Sequence, residues 1–81
     1  MDFEKHVART RATLDEIRIR VGYALQWHPL CRRVEFEIVS MPRSIRGSNW
    51  TVNLSSVEPR ALWEAHDIVS DIQEAYELEL T

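Results

Sequence analysis

An α+β domain with the order helix–strand–strand–helix is what two patterns in this 81-residue chain require. Two short runs, Arg33-Val34-Glu35-Phe36-Glu37-Ile38-Val39 and Trp50-Thr51-Val52-Asn53-Leu54, alternate with period two. Two long amphipathic stretches flank them, one before and one after. The chain has only 2 Gly and 3 Pro, so its elements should be long and its linkers short. One domain, 1–81, is expected, with helices near 3–26 and 59–78 and strands near 33–40 and 49–55. Both helices should pack on the one apolar face of a two-stranded antiparallel hairpin, which dimerisation would then complete.

In the first stretch Phe3, Val7, Thr10, Leu14, Ile17, Val21 and Ala24 recur at spacings of four and three, one arc of a helical wheel. Asp2 can cap its start. Pro29 must end it by about Trp27, because the residue before proline avoids the helical region. Gly22 costs about 1 kcal/mol in a helix relative to Ala, so it should mark a close approach or a fraying end. Asp15–Arg18 and Glu16–Arg20 have ion-pair spacing. Ile19 and Tyr23, with Ala8 and Ala12, form a second, weaker apolar strip, as in a helix contacted on two sides. A helix of about 24 residues spans about 36 Å. It should overhang strands of about 20–23 Å and leave apolar surface for a second copy.

In the strands, Val34, Phe36 and Ile38 oppose Glu35 and Glu37, and Trp50, Val52 and Leu54 oppose Thr51 and Asn53. Each strand should therefore be buried on one side and wet on the other. Both are also open edges. Pro42 should stop the first strand near Val39–Met41. The connection Met41-Pro42-Arg43-Ser44-Ile45-Arg46-Gly47-Ser48-Asn49 is longer than an ordinary hairpin loop. Gly47 should supply a positive φ. Arg43 and Arg46, with Gly47 and Ser48, make this loop the candidate site for a phosphate, a carboxylate or a nucleic-acid backbone. The plainer reading is a polar loop with no ligand.

In the second stretch Pro59 fits the first helical position, with Glu58 as N-cap. Ala61, Leu62, Ala65, Ile68, Val69, Ile72, Ala75, Tyr76 and Leu80 fill one arc. Beside it runs a single-sign stripe, Glu64, Asp67, Asp71 and Glu74. The stripe continues past the first turn, where alone acids suit the helix dipole. Trp63 points away from the core next to the stripe. With those four acids it forms the candidate protein-interaction surface, suited to a basic partner.

Charge is divided along the chain. Residues 1–46 hold nine Lys/Arg and six Asp/Glu, and residues 47–81 hold one Arg and seven acids, which together give the net charge of −3. The halves should either attract across the fold or present oriented surfaces. Cys31 is the only cysteine. It cannot form an internal disulfide and reads as a small packed residue. His28 and Cys31 are two of the four ligands structural zinc needs, so no metal site is expected. No nucleophile–base–orienter set, glycine-rich phosphate loop or zinc set appears, so neither catalytic residues nor a cofactor are expected. No apolar run approaches the roughly 18 residues that cross a bilayer. The opening Met1-Asp2-Phe3-Glu4 lacks an apolar signal core, so a cytoplasmic protein is expected. The functional expectation is a non-catalytic interaction module acting as a homodimer. The alternative is nucleic-acid or phosphate-ligand binding through the 43–49 loop and the N-terminal basic residues.

Overall fold

The computed structural model describes residues 9–43 and 47–79. Two helices cover one face of an antiparallel hairpin, and a short parallel strand pair ties the two ends of the described chain together. Strand β1 spans Thr10–Ala12 and helix α1 Leu14–Trp27. A 3-10 turn over Pro29–Cys31 leads into β2, Glu35–Ser40. Strand β3 spans Trp50–Ser55 and a second 3-10 turn Pro59–Ala61. Helix α2, Leu62–Ala75, then runs directly into β4, Tyr76–Leu78.

The α+β class, the two helices and the hairpin agree with the sequence reading. The first helix, however, is shorter than its apolar spacing implies. It begins at Leu14, and Thr10–Ala12 is strand rather than helix. Thr13 caps it: the Thr13 hydroxyl accepts from the Glu16 N–H at 3.1 Å, and the Thr13 N–H donates to Glu16 Oε1 at 2.8 Å. This reciprocal box satisfies two backbone groups at once and fixes the start of the helix. It also employs Glu16, the expected partner of Arg20. Arg20 instead lies over the Tyr76 ring at 4.6 Å, whereas the Asp15–Arg18 pair forms at 3.3 Å. The expected cap Asp2, with Phe3, Val7 and Ala8, lies outside the described residues.

With 14 residues, α1 is about 21 Å long, close to the roughly 20 Å of a six-residue strand. The expected overhang is therefore absent from the described helix. Gly22 faces the Phe36 ring, but a Cβ there would stand 3.5 Å from it, an ordinary van der Waals contact, so the packing does not demand glycine. Pro29 ends the helix at Trp27, as expected.

In the hairpin, Phe36 faces Leu54, Ile38 faces Val52 and Ser40 faces Trp50. The half-buried Val34, Phe36, Ile38, Val52 and Leu54 pack against a core that draws Ile17, Val21 and Leu25 from α1 and Ala65 and Val69 from α2. Trp50 is fully buried at its centre. The opposite face presents Glu35, Glu37, Asn53 and Ser55 to solvent.

The second helix also ends early. At Tyr76 the backbone turns extended, with φ −133° and ψ 144°, and β4 pairs in parallel with β1, Thr10 opposite Tyr76 and Ala12 opposite Leu78. The Glu79 N–H continues the ladder to the Ala12 carbonyl at 2.8 Å. Ala12 is thereby buried and does not belong to an exposed strip on α1. Leu62 and Ala75 are exposed rather than core: Leu62 follows the 3-10 turn at Pro59–Ala61, and Ala75 is the last helical residue before the chain turns extended at Tyr76. Among the described residues no helix is long and apolar enough to cross a membrane.

Candidate functional site

Of the 43–49 connection, residues 43 and 47–49 are described; Ser48 and Asn49 are buried, and Arg43 is exposed. Gly47 has φ +93°, as its sequence position suggests. Arg43 donates from Nη1 to the Gly47 carbonyl, and its Nη2 lies 3.5 Å from Glu77 Oε1. The buried Ser48 hydroxyl donates to the Trp50 carbonyl at 2.8 Å and accepts from Gln73 Nε2 at 3.3 Å. Arg46 lies outside the described residues. Asn49, also buried, holds β4 with both ends of its amide: Nδ2 donates to the Leu78 carbonyl and Oδ1 accepts from the Leu78 N–H, each at 2.9 Å. Trp50 Nε1 donates to the Tyr76 carbonyl at 3.0 Å. Residues 48–50 thus form a clasp on the strand that follows α2. Ser48 belongs to this clasp, whereas Arg43 lies beside it, exposed, and reaches the Gly47 carbonyl and Glu77.

The acidic stripe divides. Asp67, Asp71 and Glu74 are exposed on α2. Glu64 is half-buried, its Oε1 shielded from water and without a hydrogen-bond partner. Its charge bears on Cys31, whose thiol is pushed above its ordinary pKa by burial and, secondarily, by this carboxylate. Trp63 is 76% exposed and stands over the acids' face. The buried residues of this stretch are Ala61, Ala65 and Val69. Trp63 precedes Ala65 by two positions, about 200° round the helix, and Asp67 and Asp71 repeat its direction at steps of four. Beside Trp63 a cleft of about 470 Å³ opens between α2 and β3, lined by Val52, Leu62, His66, Val69 and Gln73 among others.

Helix α1 carries a matching outer face. Ile17, Val21 and Leu25 are buried, and Ile19, Tyr23 and Trp27, two positions on in each case, are 69%, 63% and 70% exposed. The Tyr23 and Trp27 rings meet edge to face at 5.9 Å. Sequence reading joins Ile19 and Tyr23 but continues the strip toward Ala8 and Ala12. The structure continues it the other way, to Trp27. The step of four from Tyr23 to Trp27 is the signal that identifies it. Between Ile17 and Val34 the chain has four arginines, Arg18, Arg20, Arg32 and Arg33, and no acid. From Ala61 to Glu79 it has six acids and no Lys or Arg.

No family model matches this chain, and neither does any curated protein or solved structure. The reading of the site therefore stands on its geometry.

The two halves of opposite charge do meet within the fold. Arg11 and Arg43, from the basic half, both approach Glu77 at 3.5 Å. Arg9 Nε donates to the Gln73 carbonyl at 2.7 Å. These contacts use Glu77 and leave Asp67, Asp71 and Glu74 without an ion pair among the described residues. No group of three or more potential metal ligands gathers among the described residues.

Proposed function

We propose that this chain is a small non-catalytic protein-interaction module that acts as a homodimer, with the outer face of α1 in one copy set on the outer face of α2 in the other. One observation carries the reading. The six large apolar side chains exposed among the described residues, Leu14, Ile19, Tyr23, Trp27, Leu62 and Trp63, all lie on the two helices and none on the hairpin. Clustered exposed aromatics mark interaction surfaces, whereas scattered ones do not. The charge pattern supports a second copy as the occupant. The α1 face is aromatic with arginines beside it, and the α2 face is a tryptophan with acids beside it. A two-fold axis would form this complementary contact twice. Helix-to-helix packing is thereby favoured over continuation of the hairpin edges.

Sedimentation from low to high micromolar concentration tests the reading. The wild type should dimerise, and Trp63→Ala and Tyr23→Ala should each weaken the dimer by about 2 kcal/mol or more, roughly thirty-fold in Kd. A wild type that stays monomeric while melting cooperatively would remove the homodimer. The same surface would then await a basic protein partner.

A further inference from the structure

A second, independent feature lies where the two 3-10 turns come together. A cleft of about 490 Å³ opens between the segment that leaves α1 and the segment that enters α2. Arg32, Arg33 and Arg60 line it, with Glu58 the one acid on its wall and Leu30 and Val34 among its apolar lining. Glu58 is engaged with Arg60 at 3.3 Å. Arg32 and Arg33 make no hydrogen bond or ion pair among the described residues. Ser56, held at φ +59°, also lines the cleft.

The arrangement has a cost without a ligand. Three guanidiniums converge on one concavity with a single carboxylate between them, in a chain whose net charge is −3. Like charges brought together repel, and Glu58 offsets one of them while solvent screens the rest. A bound anion would reverse the sign of that term. Three cations against one anion leave a local charge of about +2, matched by a dianion. Guanidinium forks suit the oxygens of a phosphate, with two parallel N–H donors each. The apolar lining suits an organic body attached to it, and the volume lies within the range of small-ligand sites.

We infer that this cleft binds a phosphate monoester carried on an apolar group, with Arg32 and Arg33 holding the phosphate and Leu30 and Val34 contacting the organic part. The site differs from the 43–49 loop, whose Arg43 is tied to Glu77, and it does not depend on dimerisation.

The test is an NMR titration of the intact chain with phenyl phosphate, inorganic phosphate and a mixed-sequence oligonucleotide in turn. Phenyl phosphate should shift the amides of residues 30–34, 56–58 and 60 saturably. Inorganic phosphate should bind the same residues at least about tenfold more weakly, because it lacks the apolar part. The double variant Arg32→Gln/Arg33→Gln changes only exposed side chains and should raise the phenyl phosphate Kd at least about tenfold while leaving the melting temperature in place. Arg43→Gln should not change that Kd. Absence of a saturable shift, equal response to the two phosphates, or an unchanged Kd in the double variant would each overturn the assignment. Tighter, steeply salt-dependent binding of the oligonucleotide would overturn it in favour of a nucleic-acid backbone.

Discussion

Cys31 shows how a single side chain can set the pH response of the whole. The thiol is fully buried under Ala61, and its proton is retained beyond the ordinary thiol range by burial first and by Glu64 second. The unfolded chain loses that proton earlier, near the ordinary thiol pKa of about 8.5. Alkali therefore draws the protein toward the unfolded state: the contribution is present below the unfolded pKa and is lost as pH rises through the folded one. Wild type should lose stability progressively above about pH 8.5, and Cys31→Ala should flatten that slope while lowering stability at neutral pH through a small cavity. Denaturant titrations of both proteins across alkaline pH check this. A slope identical in the two would assign the alkaline loss to other groups. The burial of Cys31 was legible in the sequence, since a lone cysteine in a turn with no metal or catalytic partner is most simply a small apolar filler. The placement of Glu64 was not. Helical spacing sets it in line with Asp67 and Asp71, and only the packing of the 3-10 turn against α2 shows that it faces inward.

The element that reorganises the reading is β4. Helical spacing assigns Tyr76 and Leu78 to the second helix, and no Gly or Pro interrupts the chain there. Tertiary pairing overrides that local pattern: β1 pairs with Tyr76–Leu78 on one side, and on the other the Asn49 amide holds both backbone groups of Leu78 while Trp50 Nε1 donates to the Tyr76 carbonyl. Two signals were present. Tyr76-Glu77-Leu78-Glu79-Leu80 alternates with period two, and Thr13-Leu14-Asp15-Glu16 is a capping box that starts α1 about eleven residues later than apolar spacing suggests. The hairpin, by contrast, was legible because alternation, Pro42 and Gly47 all agree on it. If Asn49 is in effect a neighbouring strand for β4, Asn49→Ala should strand the Leu78 N–H and carbonyl in a buried site and cost about 2–4 kcal/mol. Asn49→Asp should cost as much or more, because a carboxylate cannot donate to the Leu78 carbonyl. Hydrogen exchange should show the amides of residues 10–12 and 76–78 opening before the hairpin in both variants. A loss under about 0.5 kcal/mol would mean that the clasp is dispensable.

For the whole molecule, α1 and the strands match in length, so self-association cannot be argued from uncovered chain. It rests on the surface the helix pair presents, and that surface makes an arrangement-specific prediction. Take one variant, Asp67→Arg/Asp71→Arg, which makes the α2 face basic. Take a second, Arg18→Glu/Gln26→Glu, which makes the α1 face acidic. All four positions are exposed. Arg20 is left alone because it stacks on Tyr76. In a dimer built from α1 on α2, each variant alone opposes like charges across both copies of the contact. Each should associate about tenfold more weakly than wild type, given exposed charge terms of about 0.2–1 kcal/mol per position. Mixed together, the basic α2 of one chain meets the acidic α1 of the other, and the native α1 meets the native α2. The mixture should recover a heterodimer near wild-type strength. Salt should shrink these differences, since the charges flank the aromatic centre and are screened within about 10 Å at 0.1 M. If α2 instead packed on α2, the wild type would already set acid against acid. The first variant alone would then dimerise as well as the wild type, and mixing would not be needed. Analytical ultracentrifugation of the two variants, separately and in equimolar mixture, decides between these arrangements.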